Sequence, residues 1–90
     1  MYLIRKTAKF RKSAKRYLRS EKSNYDLLLE VIDNISNGKK LDEKFRDHQL
    51  SGMMSDYREC HVRPDLLLVY KVQGDLLILA NIGSHSELFG

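Results

Sequence analysis

The chain has 90 residues, 42% of them hydrophobic, with 16 Lys and Arg against 12 Asp and Glu, a net charge of +4. That length holds one domain, residues 1–90, and the apolar share is near the roughly 45–50% of ordinary globular chains, which excludes a disordered chain. The lone Cys60 excludes a disulfide framework, no apolar run reaches the roughly 18 residues that span a bilayer, and the N-terminus lacks a signal-peptide core; a cytoplasmic protein with no membrane partner is expected.

The opening "YLIR" is a short β-prone run. Thr7 fits an N-cap, and after it Phe10, Ala14, Tyr17 and Leu18 recur at helical spacing as one apolar stripe. Around that stripe lies all of the surplus charge: residues 1–22 hold nine Lys or Arg and one acid, a balance of +8, against −4 for the rest. Such a segment suits phosphates or an acidic partner, and equally a solvated helix face. A second helix begins near Ser23 or Asn24, buries Leu28, Val31, Ile32 and Ile35, and stops at Asn37-Gly38, with "SEKS" as the turn of an αα-hairpin. "KKLDEKFRDHQLSGMMSD" has no clear period and reads as a loop anchored by Phe45 and Leu50. Three runs follow, "YRECHVR", "LLLVYKV" and "LLILANI", parted by Pro64-Asp65 and Gln73-Gly74-Asp75; they read as an antiparallel meander with the uniformly apolar middle run at its centre. The order β-α-α-β-β-β predicts an α+β fold, two helices on one face of a small, mainly antiparallel sheet, since neither layer buries its apolar side alone.

All three histidines fall in the second half. Alternation along the first meander strand places Tyr57, Glu59, His61 and Arg63 on one face, with Cys60 and Val62 on the other and Arg58 at its margin. His61 and Arg63 therefore project together, away from the helices. His48 precedes this strand and His85 follows the last one, and a meander can gather such positions on one sheet face. Imidazoles with an arginine and Asp65 suit cleavage of RNA by its own 2′-hydroxyl: a base takes the 2′ proton, an acid protonates the leaving oxygen, and a cation meets the phosphorane charge. Each histidine alone is as well explained as a surface or capping residue. Cys60 and His61 point to opposite faces and no ligand spacing such as CxxC or HxxxH occurs, so no metal is expected; an inward Cys60 has its thiol pKa raised and makes no nucleophile.

The stretches "KFRDHQLSG", "YRECHVRPDLLLVYKV" and "IGSHSELFG" resemble, in order and spacing, those of YafQ-type toxins in the RelE/ParE superfamily of bacterial toxin–antitoxin systems. The resemblance covers about half the chain through motifs, from Leu41 to Gly90, and the helical half in pattern. It implies the RelE-like fold and an mRNA interferase, a ribosome-dependent endoribonuclease that cuts messenger RNA in the ribosomal A site, with no cofactor. The partners implied are ribosome, mRNA and a small cognate antitoxin, DNA-binding and encoded upstream. Carried over by position, the catalytic residues are His48, His61, Asp65 and His85: His85 as general acid, His48 and His61 sharing base and phosphate-binding work, Asp65 orienting or acting as base. Phe89 stacks on a base or braces the nucleotide, and Gly83 makes the turn that presents His85. Asn81 stands where the family has an arginine and Leu66 where it often has tryptophan, so Arg58 or Arg63 is expected to supply the missing cation, or the toxin is attenuated. Two other readings stay open: a non-catalytic ParE-like toxin that binds a protein target, and a nucleic-acid-binding domain that relies on the basic segment.

Overall fold

The computed structural model describes residues 1–18 and 22–89. Strand β1 (Leu3–Lys6) leads into helix α1 (Ala8–Leu18) and then α2 (Lys22–Ser36). Thr7 caps α1, its Oγ1 accepting from the Phe10 N–H at 3.0 Å and donating to the Ala80 carbonyl at 2.8 Å, so the cap also ties the helix to the sheet. Part of the expected "SEKS" turn lies outside the described residues. Helix α2 ends as its sequence predicts, with Gly38 at φ +72° beyond the buried Leu28, Val31, Ile32 and Ile35.

The expected loop after α2 carries more structure than its pattern suggests. It holds two 3-10 turns, Glu43–Phe45 and Gly52–Met54, and a two-residue strand β2 (His48–Gln49). Phe45 anchors it as expected, Leu50 is only half-buried, and Leu41 is a buried anchor that the sequence did not single out. The meander β3 (Arg58–Arg63), β4 (Leu66–Gln73) and β5 (Leu76–Gly83) follows, then a terminal turn of helix α3 (His85–Phe89). The sheet order is β1-β5-β4-β3-β2; β1 runs parallel to β5 and the other pairs are antiparallel, so the sheet is mixed with an antiparallel majority.

Both main helices cover one face. Phe10 of α1 and Leu28, Val31, Ile32 and Ile35 of α2 share one core with Cys60, Val62, Leu66, Leu68, Tyr70, Leu77, Leu79 and Ile82. Strand β4 is central, and Leu66 to Tyr70 are all buried; Leu67 and Val69 turn to the opposite face and form a second apolar floor there. Two bulges decide what else reaches that face. At Ala80 an extra residue lets Leu79 and Ile82 both enter the core while Asn81 sits opposite Val69. At Val62 another shifts the register between His61 and Arg63, pairing Arg63 with the core residue Leu66.

Leu79 is fully buried between α1 and the sheet. Its replacement by alanine is expected to cost about 3 kcal/mol through lost contacts and a residual cavity. At roughly 4–8 °C per kcal/mol for a domain of this size, a thermal melt falls by over 10 °C. Leu29→Ala, at a half-exposed position of α2, shifts the melt by only a degree or two in the same experiment.

Candidate active site

The face opposite the two main helices carries the histidines. In cross-strand register His48 lies opposite Glu59, Glu59 opposite Val69 and Val69 opposite Asn81, a row across four strands; His61 sits opposite Leu67 one step along. The His48 and His61 ring centroids are 6.3 Å apart, and those of His61 and His85 5.5 Å. Between the first two lies Glu59, 5% exposed, with Oε1 3.6 Å from His48 Nε2 and 3.5 Å from His61 Nε2. Asp65, in the turn between β3 and β4, accepts from the His85 backbone N–H at 3.0 Å and pairs with its Nδ1 at 2.8 Å. Those contacts, the backbone one first, hold the Asp65 carboxyl below its ordinary value. His48, His61, Asp65 and His85, named from sequence, thus form one chain of contacts.

Each ring is oriented by a local device. His48 Nδ1 donates to the Arg46 carbonyl at 2.7 Å, and that carbonyl points toward the ring because Arg46 adopts the left-handed conformation, φ 50° and ψ 42°. A non-glycine residue there costs about 1 kcal/mol, strain held at the site. On the far side of the same segment, Asp47 receives two bonds from Arg58, at 3.3 and 3.1 Å, and one from the Tyr70 hydroxyl at 2.6 Å. Asp47 raises the Arg58 pKa, while burial first and Asp47 second raise that of Tyr70. This half-buried clamp fixes the register in which His48 meets Glu59. His85 opens α3, whose cap is the pair Ser84 and Glu87: the Glu87 N–H donates to Ser84 Oγ and the Ser84 hydroxyl donates to the Glu87 carboxylate. Arg16 of α1 pairs with Glu87 at 3.1 Å and holds the short helix against the fold.

The remaining sequence expectations fare unevenly. Arg58 faces away from the histidines and is committed to Asp47 and Gln49. Arg63 does not share the histidine row: the bulge at Val62 turns it toward α2, where its Nε donates to Asn24 at 2.9 Å, although it still lines one cleft with His61. Gly83 is not a presenting turn, because it is the last residue of β5 without a positive φ, and Ser84 caps the helix that follows. Asn81 and Phe89 line a groove of ≈ 360 Å³ with Lys9, Met54, Tyr57 and Val69; Phe89 is half exposed there, and Asn81 Oδ1 accepts from the Ile82 N–H, leaving its amide nitrogen for the groove. Cys60 is fully buried and burial raises its thiol pKa, as expected. Glu59 was placed on the histidine face without a role; a charged residue inside a strand, two before a histidine, was its signal. Among the described residues no group of three or more His, Cys, Asp or Glu side chains is placed to hold a metal ion.

A mixed sheet with two helices on one face is the build shared with solved bacterial toxins. A copper-bound mutant toxin from Helicobacter pylori superimposes with a TM-score of 0.91 at 41% identity, covering 99% of this chain and 100% of that one. The toxin of the Escherichia coli DinJ-YafQ toxin-antitoxin complex superimposes with a TM-score of 0.79 at 28% identity, covering 99% and 98%. The mRNA interferase toxin YafQ of Escherichia coli K12 is 41% identical over 56 residues, a match that spans 62% of this chain and 61% of that protein's length. The profile of the bacterial toxins of type II toxin-antitoxin systems, YafQ, matches residues 2–90, and the chain belongs to that family.

Proposed function

We propose that this toxin is a ribosome-dependent endoribonuclease that cuts messenger RNA in the ribosomal A site by metal-independent acid–base chemistry. The observation that carries the reading is the unbroken contact chain Asp65–His85–His61–Glu59–His48 on the uncovered sheet face. In this scheme a base at the His48–Glu59–His61 end takes the 2′ proton, the 2′ oxygen attacks phosphorus, and the 5′ oxygen departs with a proton from His85. The products are a 2′,3′-cyclic phosphate and a 5′-hydroxyl. The groove beside Phe89 and Tyr57 receives the adjoining base, where stacking is worth about 1–3 kcal/mol. The name mRNA interferase carried by a relative supports the same reaction.

The basic face of α1, with Lys9, Arg11, Lys12, Lys15 and Arg16 outside the buried stripe, suits a phosphate-rich docking surface such as ribosomal RNA. A cognate antitoxin is the second partner, as in the DinJ-YafQ complex. No helix of the described residues is long and apolar enough to cross a membrane, and a cytoplasmic site of action follows from a ribosomal target.

The test is cleavage of a defined message by the purified protein with and without translating ribosomes. Cuts that need ribosomes and leave cyclic-phosphate ends are expected. Growth arrest on expression with every message intact would replace this reading by the non-catalytic, ParE-like one.

A further inference from the structure

Most cations of this half of the chain are already engaged. Arg58 is ion-paired with Asp47, and Arg63, which also lines the His61 cleft, has its Nε on the Asn24 amide oxygen. Lys44 Nζ lies 5.1 Å over the Phe45 ring, Lys71 Nζ lies 5.0 Å over the Tyr57 ring, and Arg16 is paired with Glu87. Arg46 differs from all of these: among the described residues its guanidinium has neither an ion pair nor a hydrogen bond, although Asp42, Glu43 and Asp47 line a hollow on its other side. It lines a second cleft, ≈ 320 Å³, together with His61, Lys44 and Arg63 above apolar Leu27 and Phe45. Lys9 is the rival free cation, but no histidine lines its groove.

We propose that Arg46 is the cation of this site, its guanidinium contacting the RNA phosphate that reacts beside His61 and stabilising the charge of the phosphorane. The proposal rests on the nuclease reading and adds a residue and a binding cleft to it. A planar, permanently charged fork matches non-bridging phosphate oxygens two at a time. The left-handed residue Arg46 links two features: its carbonyl holds His48, and the same residue lines the cleft shared with His61. A strained non-glycine residue at this position is explained when the side chain is needed, because glycine holds the same carbonyl at lower conformational cost.

That difference supplies the experiment. Arg46→Gly keeps the carbonyl and relieves the backbone, whereas Arg46→Gln keeps the backbone cost and removes only the charge. Cleavage of a defined message on translating ribosomes is measured for both, for Arg46→Lys and for the native chain, with thermal melts alongside. The expected result is a fall of about 10²-fold in kcat for the glycine and glutamine variants, with KM little changed, because the contact strengthens in the transition state. The glycine variant melts no lower than the native chain, and lysine restores part of the rate. A glutamine or glycine variant that cleaves at the native rate overturns the role of Arg46 and leaves the nuclease reading standing. A native chain that cuts no message overturns both.

Discussion

An His85→Ala variant is expected to cleave message about 10²–10⁴-fold more slowly than the native chain while melting at nearly the same temperature. The ring is 56% exposed, so its removal forfeits little burial, and α3 keeps its Ser84 cap and its Arg16–Glu87 tie. The ring matters because of what its neighbours have already claimed. His48 has Nδ1 on a carbonyl and Nε2 facing Glu59, and His61 also turns Nε2 to Glu59. His85 alone has its carboxylate on Nδ1, leaving Nε2 free to hand a proton to the departing 5′ oxygen. Asp65 acts through this ring: Asp65→Asn keeps an acceptor for the backbone N–H but loses the charge, and a smaller loss of rate is expected. Because the folded-state pKa of Asp65 is depressed, the clasp is fully formed above the ordinary carboxylate value and is lost only as pH falls through the lowered folded value. Acid inactivation near neutral pH therefore has another origin than Asp65. An alanine variant that keeps the native rate would remove His85 from proton transfer; one that loses the rate together with its melting transition would show a structural part instead.

Periodicity made the layers legible. Alternation assigned Cys60 and Val62 to the helix side and Glu59 and His61 to the other, and the apolar middle run identified the central strand. It failed where one residue was inserted, because counting by two carries no information about bulges. Arg63 was turned from the histidine row toward Asn24 this way. Asn81 reaches it for the same reason, since counting from Leu79 would bury it. Strand β2 is two residues long and has no period to read; its place is set by the clamp of Asp47, Arg58 and Tyr70, which spans 23 positions of sequence. The left-handed Arg46 gave no signal, since neither glycine nor asparagine marks the position. The helix at the end did give one: Ser84 and Glu87 in "SHSE" have capping-box spacing, which points to a helix rather than a turn at Gly83. The motif resemblance supplied the gathering of His48, Asp65 and His85, which no local pattern contains.

Glu59→Gln tests how the two inner histidines are made useful, and a rate loss of about 10³–10⁴-fold is expected, comparable to removing the charge of a buried carboxylate that orients a catalytic imidazole. A carboxylate only accepts, so with His48 Nδ1 donating to the Arg46 carbonyl, Glu59 gives a doubly protonated His48 an acceptor for each N–H. The same Oε1 faces His61, so one buried charge serves two rings, and a proton arriving at that end of the row stays next to the phosphate. Glutamine has nearly the same shape but brings an amide N–H, which donates to an imidazole nitrogen and occupies the lone pair a base must use. The fold should survive: Glu59 is edged by the sheet rather than by the main core, and its isostere fills the same space. Cleavage rates, thermal melts and nitrogen NMR of the histidine rings distinguish the outcomes. Altered ring tautomers with a preserved melt and a collapsed rate assign Glu59 to the chemistry. Unchanged tautomers with a native rate would leave it a buried spacer and return the base to the histidines alone.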